Sequence, residues 1–220
     1  MTFLTELIEI TLLSLFVSSS ATLIATIIGI PLGLLLGLRK FRGRFLLKGA
    51  VNSMMAVPTV ALGLILYLVF SNSGPLGFLH VLYSPLAIII GQAILVFPII
   101  MSISSETVEN VNPGIRELSL TLGANERSAL ASVLRESLGG VILAVSAAFS
   151  RAISELGVAL MLGGNIEGLT RVLTTSIALE TTRGEIALGL GLVVVLLTMI
   201  LTFNVLLRMM EKKVRWWLWE

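Results

Sequence analysis

Two small groups of polar residues in this 220-residue sequence have types and spacing that could do chemistry. One is Arg171 with Thr174 and Thr175, which in a helix places one cation beside two hydroxyl donors. Guanidinium and hydroxyl groups donate hydrogen bonds to a tetrahedral oxyanion. By residue type alone, however, the favoured interpretation is the solvated face of an interfacial helix. The other group is Arg151 with Glu155, one helical turn apart in an apolar stretch.

The Arg151 and Glu155 charges lie in a stretch that is long and apolar enough to cross a membrane. Each isolated charge there would cost about 2.5–3.5 kcal/mol on insertion scales, so we expect both to face the bundle interior and to be paired. Arginine before glutamate is the less favourable order for an i,i+4 pair, so pairing of either residue with a partner on another helix stays open. Two interpretations stay open: a pair that locks the bundle, and a charged lining or gate.

The inventory of reactive residues argues against an enzyme. The chain has no cysteine, all 13 acidic residues are glutamate, and His80 is the only histidine. Thiolate chemistry, disulfides and aspartate nucleophiles are therefore excluded, and no set of metal ligands is expected. We interpret His80 as a solvated loop residue.

Composition places the chain in a membrane. Mean hydropathy is +1.01 and only 13% of residues are charged, which excludes an ordinary soluble domain. A net charge of +2 gives no reason to expect nucleic acid. We predict an all-α integral membrane protein with one transmembrane domain over residues 1–220. The first apolar run has no basic residue before it, so we expect a retained span rather than a signal peptide.

Five segments are long and apolar enough to span a bilayer. Lysine and arginine concentrate in residues 39–48, in 116–135 and after 207, and are sparse in the other two loops. The positive-inside rule then predicts an N-terminus outside and a C-terminus in the cytoplasm. The predicted spans are roughly Leu12–Leu38, Gly49–Phe70, Pro85–Ser104, Leu138–Leu162 and Ile186–Leu207.

Several smaller features support this arrangement. Gly29, Gly33 and Gly37 recur at four-residue spacing, which predicts a close helix-packing face. Gly140, Ala144, Ala148 and Ala152 form a second stripe of small residues. Glu6 and Glu9 are expected at the outer interface. The tryptophans of the C-terminal EKKVRWWLWE are expected to anchor the chain in membrane lipid.

A polar stretch, residues 106–136, interrupts the apolar pattern between the third and fourth spans. Asn112 and Pro113 are typical of an N-cap and first helical position. Ile115, Leu118 and Leu122 place an apolar stripe on one face, and Gly123 can end the helix in the left-handed conformation. A second amphipathic helix is predicted over Glu126–Glu136. Two short helices at the inner membrane face would fit a cleft on the surface of a soluble partner.

Within this stretch, RELSLTLGAN resembles the EAA loop of ABC-transporter permease subunits. Glu117 and Gly123 carry the match, with Leu118-Ser119 in place of two alanines and no proline in Val133–Glu136. The resemblance implies that residues 106–136, the coupling segment, seat in a cleft of the ATP-hydrolysing subunit. The implied coupling residues are Ile115, Arg116, Glu117, Leu118, Leu122, Gly123 and Ala124.

Three further blocks resemble tungstate and molybdate permeases, tungstate permeases most: GLILYLVFSNSGPLG, RAISELGVALMLGG and GGNIEGLTRVLTT. In such permeases the last block belongs to an outer gate. The resemblance therefore favours a functional role for Arg171 over the solvated face of an interfacial helix. Residues 163–185 are named the gate segment here. A chain reversal is expected at Gly163–Asn165 and a helix over Thr170–Thr182. The implied pathway or gate residues are Arg171, Thr174, Thr175, Asn165, Arg151 and Glu155.

The resemblance implies a type I ABC importer permease in a prokaryotic cytoplasmic membrane. Two copies would form the pore, with two ATP-binding cassette subunits and an extracytoplasmic tungstate- or molybdate-binding protein. The chain has no phosphate-cradling G-x-x-x-x-G-K-[ST] loop, so ATP and magnesium are expected in the partner ATPase and no cofactor here. The expected function is import of tungstate, or of molybdate, by alternating access. The alternative is the same architecture importing another substrate, such as sulfate or methionine.

Overall fold

The structure, a computed structural model, describes residues 3–111 and 113–219. These residues are helical apart from short connections and one 3₁₀ turn at Gly77–Leu79. The helices are α1 (Phe3–Leu38), α2 (Arg44–Met54), α3 (Thr59–Phe70), α4 (Pro85–Glu109), α5 (Pro113–Thr121), α6 (Glu126–Glu136), α7 (Leu138–Ile153), α8 (Gly157–Gly163), α9 (Leu173–Thr182) and α10 (Ile186–Trp219).

Helix α1 packs along α4 through its glycines, as the four-residue spacing predicts. A Cβ atom on Gly33 would lie 2.6 Å from the carbonyl oxygen of Met101, and one on Gly37 would lie 2.6 Å from that of Ser105. Both atoms belong to backbone, which cannot move aside as a side chain can. The two helices therefore approach closely only because these positions carry no side chain.

The second stripe of small residues, on α7, also packs as predicted. Ala144, Ala148 and Ala152 are fully buried, and Gly140 lies against Thr107 of α4. The opposite side of α7 packs on α10, where Phe149 stacks on Phe203 with ring centroids 3.5 Å apart. Helix α7 is thus held between α4 and α10.

Two of the predicted spans are not single straight helices. Between α2 and α3 the chain bends by 95°, and the predicted fourth span is interrupted at residues 154–156 between α7 and α8. Among the described residues, three helices are long and apolar enough to cross a membrane, or up to five if the bent pairs α2–α3 and α6–α7 each count as one span. Broken helices place backbone polar groups inside the bundle, where side chains must satisfy them.

Some predictions fall beyond what the structure describes. The predicted N-cap Asn112 lies outside the described residues, as do the side chains of Arg116 and of the C-terminal tryptophans. His80 is described: it is exposed, at the end of the 3₁₀ turn, as predicted. No group of three or more potential metal-binding side chains occurs within residues 3–111 and 113–219.

Candidate coupling and gate regions

Helix α5 ends as the sequence predicts. Gly123 has φ +88°, and a Cβ atom there would meet nothing within 4 Å. The Ala124 amide donates to Ser119 O and the Gly123 amide to Leu120 O, both at 3.0 Å. This pair of bonds is the Schellman arrangement, which satisfies the last carbonyl groups of the helix. The turn toward α6 is therefore fixed by local backbone geometry alone.

The apolar stripe on α5 faces away from the bundle. Leu118 is 61% exposed and Leu122 is 78% exposed, whereas Ile115 is half-buried. Glu117 is exposed beside them. Large apolar side chains at this exposure, presented together, are typical of a surface that binds a partner. No residue within the described ranges covers them.

Helix α6 has the predicted bounds and supports α5. Asn125 caps it by accepting a hydrogen bond from the Ser128 amide at 2.9 Å. Ala129 and Val133 are buried, so one face of α6 packs inward. Helix α7 follows directly after Ser137, with a bend of 48° between the two helices. Any force on the α5–α6 turn thus reaches α7 without an intervening loop.

The same end of the bundle carries an ionic clasp. Arg44 donates to the carbonyl oxygens of Leu36 and Gly37 at 2.8 and 2.7 Å and pairs with Glu109 at 3.1 Å. Lys48 also bonds Glu109. Hydrogen bonding from Lys48, with the charges of Lys48 and Arg44, holds the pKa of Glu109 below its ordinary value, although partial burial acts in the opposite direction. The clasp joins α2, the end of α1 and the end of α4.

Arg151 and Glu155 form the pair that the sequence predicts, and they pair with each other rather than across helices. Arg151 Nη1 lies 2.6 Å from Glu155 Oε2. Glu155 is 2% exposed, whereas the Arg151 side chain is 40% exposed. The second carboxylate oxygen of Glu155 accepts from the Val158 amide at 3.1 Å, in the first turn of α8. Glu155 therefore also holds the α7–α8 break in place.

The gate segment is tied to this break and to α1. Thr174 Oγ1 donates to the Glu155 carbonyl oxygen at 2.9 Å. The Leu173 amide donates to Ser14 Oγ at 2.8 Å, where α9 meets α1. Both hydroxyl groups are buried, so neither bond competes with water. The start of α9 is consequently fixed to two distant parts of the chain.

The turn that enters the gate segment is organised by Thr170. Gly164 and Asn165 both have positive φ, at +70° and +53°, which confirms the predicted chain reversal. Thr170 Oγ1 donates to Gly163 O at 2.6 Å and accepts from the Ile166 amide at 3.0 Å. Asn165 Oδ1 is buried without a hydrogen-bond partner.

Arg171 is enclosed by carboxylates. Its Nη1 lies 3.2 Å from both Glu6 Oε1 and Glu167 Oε2, and its side chain is only 11% exposed. Glu6, Glu167 and Arg171 line two adjacent cavities of about 700 and 240 Å³, and Glu9 also lines the larger one. The ion pair between Glu6 and Arg171 thus stands where α1 meets the gate segment.

The predicted face of one cation and two hydroxyl donors is not formed, and the predicted start of its helix is wrong. Helix α9 begins at Leu173, so Arg171 precedes it. Thr175 exchanges hydrogen bonds with the Val172 backbone, and Thr174 is bonded to Glu155. The physical reason is that both hydroxyl groups bond backbone atoms, Thr175 at the start of α9 and Thr174 in the α7–α8 break, which spacing alone does not reveal.

Three residues that hold the gate segment were missed as sequence candidates: Glu6, Ser14 and Thr170. Glu6 and Ser14 contact residues more than 150 positions away, and no local signal announces such pairs. Thr170 lies within the GGNIEGLTR block, so its role as loop organiser could have been proposed from that block. The sequence indicated the segment but not the residues of α1 and of the α7–α8 break that bond to it.

The helical fold, with several helices long and apolar enough to cross a membrane among the described residues, is typical of a membrane protein. Residues 29–216 match the family of binding-protein-dependent transport system inner membrane components, and the chain belongs to that family. The chain is 38% identical to the tungstate uptake system permease protein TupB of Peptoclostridium acidaminophilum, over 94% of this chain and 91% of that protein. It is also 38% identical to a probable anion ABC transporter permease of Haloferax volcanii, over 92% and 90%.

The fold agrees with this placement. An inward-facing structure of the MetNI methionine ABC transporter covers 96% of this chain and 94% of the matched chain, with a TM-score of 0.69 and 17% identity. More distant relatives include the Escherichia coli molybdenum permease ModB, 29% identical over 79% of this chain, and the sulfate permease CysT, 29% identical over 74%. The chain is therefore an inner membrane component of the ABC permease class.

Proposed function

We propose that this chain is the permease subunit of an ATP-driven importer that moves tungstate into the cytoplasm by alternating access, with molybdate as the second candidate. The observation that carries the proposal is the 38% identity to a tungstate permease over nearly the full length of both proteins. Sulfate and methionine are less favoured alternatives. The sulfate permease is more distant, and the likeness to the methionine transporter is one of fold.

The direct test is elemental mass spectrometry of cells with and without this gene, grown in excess sulfate. We expect tungsten accumulation to fall to background in the deletion strain. Loss of molybdenum alone would show that the cargo is molybdate rather than tungstate. Unchanged content of both elements would contradict an importer of either oxyanion. Restoring the gene on a plasmid is the control.

We also propose the five spans predicted from the sequence, the second and fourth of them broken, with an external N-terminus and a cytoplasmic C-terminus. The asymmetry of lysine and arginine supports this topology. Because the chain has no cysteine, single introduced cysteines report without background. A membrane-impermeant maleimide should label Ser73→Cys in intact cells and label Arg42→Cys only after lysis. Labelling of both in intact cells would contradict the topology.

For the complex we propose a homodimer of this chain, two ATP-binding cassette subunits that bind ATP and magnesium, and an extracytoplasmic binding protein. The exposed Leu118 and Leu122 support the coupling segment as the ATPase contact. We expect Glu117→Lys or Gly123→Asp to abolish uptake while the permease stays in the membrane. If such a variant still co-purified an ATPase with normal coupled hydrolysis, these residues would have no coupling role.

For the pathway we propose two contributions. Arg151 is a half-exposed cation in a predicted span, and a cation there must face a second copy or a watery path rather than lipid. Arg171, Thr174, Thr175 and Asn165 belong to the gate, where Arg171 acts as a latch between Glu6 and Glu167. A dianion that approached Arg171 would meet Glu6, Glu9 and Glu167 in the same cavity, which favours a latch over an anion ligand.

A further inference from the structure

One end of the bundle presents a basic surface on which three cations lack an ion-pair partner among the described residues. Five basic residues lie within positions 39–48, and two of them, Arg44 and Lys48, are engaged by Glu109. The other three, Arg39, Lys40 and Arg42, are exposed and have no ion-pair partner among the described residues. The acidic residues nearest to them in sequence are Glu9 and Glu106, and Glu109 at this end of the bundle is engaged by Arg44 and Lys48.

Large apolar side chains adjoin these cations. Phe45 is 87% exposed and Leu46 is 74% exposed, both in the first turn of α2, and Phe41 is 48% exposed just before it. The other face of α2 packs inward through Val51. Helix α2 is thus amphipathic, with an outward apolar face that follows directly on a cluster of cations.

The geometry holds this surface at the end of the bundle. Arg44 bonds the carbonyl oxygens of Leu36 and Gly37 in the last turn of α1, which fixes the start of α2 there. Helix α2 then makes an angle of 95° with α3, so it does not continue the direction of the next helix. A short amphipathic helix at such a position suits the boundary between headgroups and acyl chains.

We propose that Arg39, Lys40, Arg42, Phe45 and Leu46 form a binding surface for anionic phospholipid headgroups. The cations would bind phosphate groups, and the two apolar side chains would enter the acyl boundary beside them. A second copy of the chain is a poor occupant, because it would bring two sets of like charges together. The proposal concerns lipid and holds whichever anion is the cargo.

The test uses the complex purified with the full-length chain and reconstituted in nanodiscs of equal phosphatidylglycerol and phosphatidylcholine. Native mass spectrometry then counts the phospholipids that remain bound after release into detergent. In the Arg39→Gln/Lys40→Gln/Arg42→Gln variant we expect the ratio of retained phosphatidylglycerol to phosphatidylcholine to fall by about fivefold per residue, on the order of a hundredfold in total.

The matched control is Arg208→Gln/Lys212→Gln/Lys213→Gln, which removes three cations near the end of α10, where Glu211 adds an opposite charge. We expect a much smaller change there. Equal losses in both variants would mean general attraction to positive charge, and an unchanged ratio in the first variant would mean no lipid site; either result overturns the proposal.

A second measurement addresses the apolar part of the surface. Phe45→Cys, the only cysteine of its chain, should give no oxidative cross-link in membranes, and a fluorophore attached there should report an apolar environment in nanodiscs. Phe78→Cys, at the similarly exposed Phe78 of a predicted loop, is the control and should report water. A covalent dimer through position 45 would assign the surface to a second copy and overturn the proposal.

Discussion

The coupling segment and the gate segment satisfy their polar and apolar groups in opposite ways. In the gate segment, Leu173 and Thr174 bond residues of α1 and of the α7–α8 break, and these contacts are buried. In the coupling segment, the turn after α5 is closed by its own backbone, and Leu118 and Leu122 stay exposed. The start of α9 in the first region is held by contacts within one chain, whereas the second region presents an exposed apolar surface that a partner would cover. Substitutions should therefore affect folding in one region and assembly in the other.

We expect the largest effect in the coupling segment, where no residue within the described ranges covers the exposed apolar side chains. Leu122→Asp places a charge on a side chain that is 78% exposed, so the fold should tolerate it while the proposed apolar contact with the ATPase is lost. We expect uptake at background, normal permease levels in the membrane and no co-purified ATPase. Leu79→Asp, in the predicted loop between the second and third spans, should leave uptake, permease level and ATPase co-purification unchanged. A Leu122→Asp complex that assembled normally would remove the contrast between the two regions.

Arg151→Ala should destabilise the α7–α8 break, to which the gate segment is bonded. It leaves Glu155, which is only 2% exposed, without its cation. Removing one partner of a fully buried pair typically costs about 3–5 kcal/mol, and we expect a smaller cost here because the Arg151 side chain is half-exposed. We expect a lower midpoint of thermal unfolding in detergent and reduced membrane levels.

Glu155→Gln sharpens the same comparison because it removes the buried charge while keeping an acceptor for the Val158 amide. We expect a smaller loss of stability than for Arg151→Ala. If Arg151→Ala were as stable as the unaltered protein but transported poorly, the pair would serve the pathway rather than the break.

The latch at Arg171 should give an intermediate effect. Arg171→Ala removes both ion pairs with Glu6 and Glu167, and we expect uptake to fall several-fold, whereas His80→Ala should have no effect. Exchanging the charges in Glu6→Arg/Arg171→Glu should restore part of the uptake, since a latch needs only opposite charges. An anion ligand could not be rescued in this way, so failure of the exchange together with unchanged uptake in Glu6→Gln would favour direct anion contact.

The smallest effect concerns pH at the Glu109 clasp. Because Lys48 and Arg44 lower the pKa of Glu109, the clasp stabilises the protein fully above the ordinary value of 4.5 and loses this contribution as pH falls through the lowered pKa. Glu109 is partly exposed, so we expect no more than about 1 kcal/mol. Thermal unfolding of Glu109→Gln should differ from that of the unaltered protein at pH 7, with the difference vanishing in strong acid.

Local patterns predicted much of the fold, because glycine spacing and helix caps act within a few residues. The α1–α4 glycine face, the bounds of α6 and the left-handed Gly123 all followed from sequence. The break at residues 154–156 did not, since its support comes from Thr174, nearly twenty residues later.

The same limit holds for the candidate site. Arg171 was located by residue type, but its partner Glu6 is 165 positions away and could not be inferred from spacing. Arg151 and Glu155 were expected to be paired because both are charged residues in an apolar span, but their order in sequence left the identity of each partner open. Sequence therefore predicted the local structure of the coupling segment well, where contacts are local, and that of the gate segment poorly, where they are distant.

The glycine contact between α1 and α4 also bears on how the chain is made. Helix α1 is apolar enough to enter the bilayer by itself, but α4 supplies the backbone that covers its glycines, and α4 ends only at Glu109. At a synthesis rate of about 5–20 residues per second, α1 waits on the order of ten seconds for this neighbour. During that interval the α4 backbone that lies against Gly33 and Gly37 has not yet been made. Packing of α1 on α4 is therefore a separate step that follows the insertion of α1.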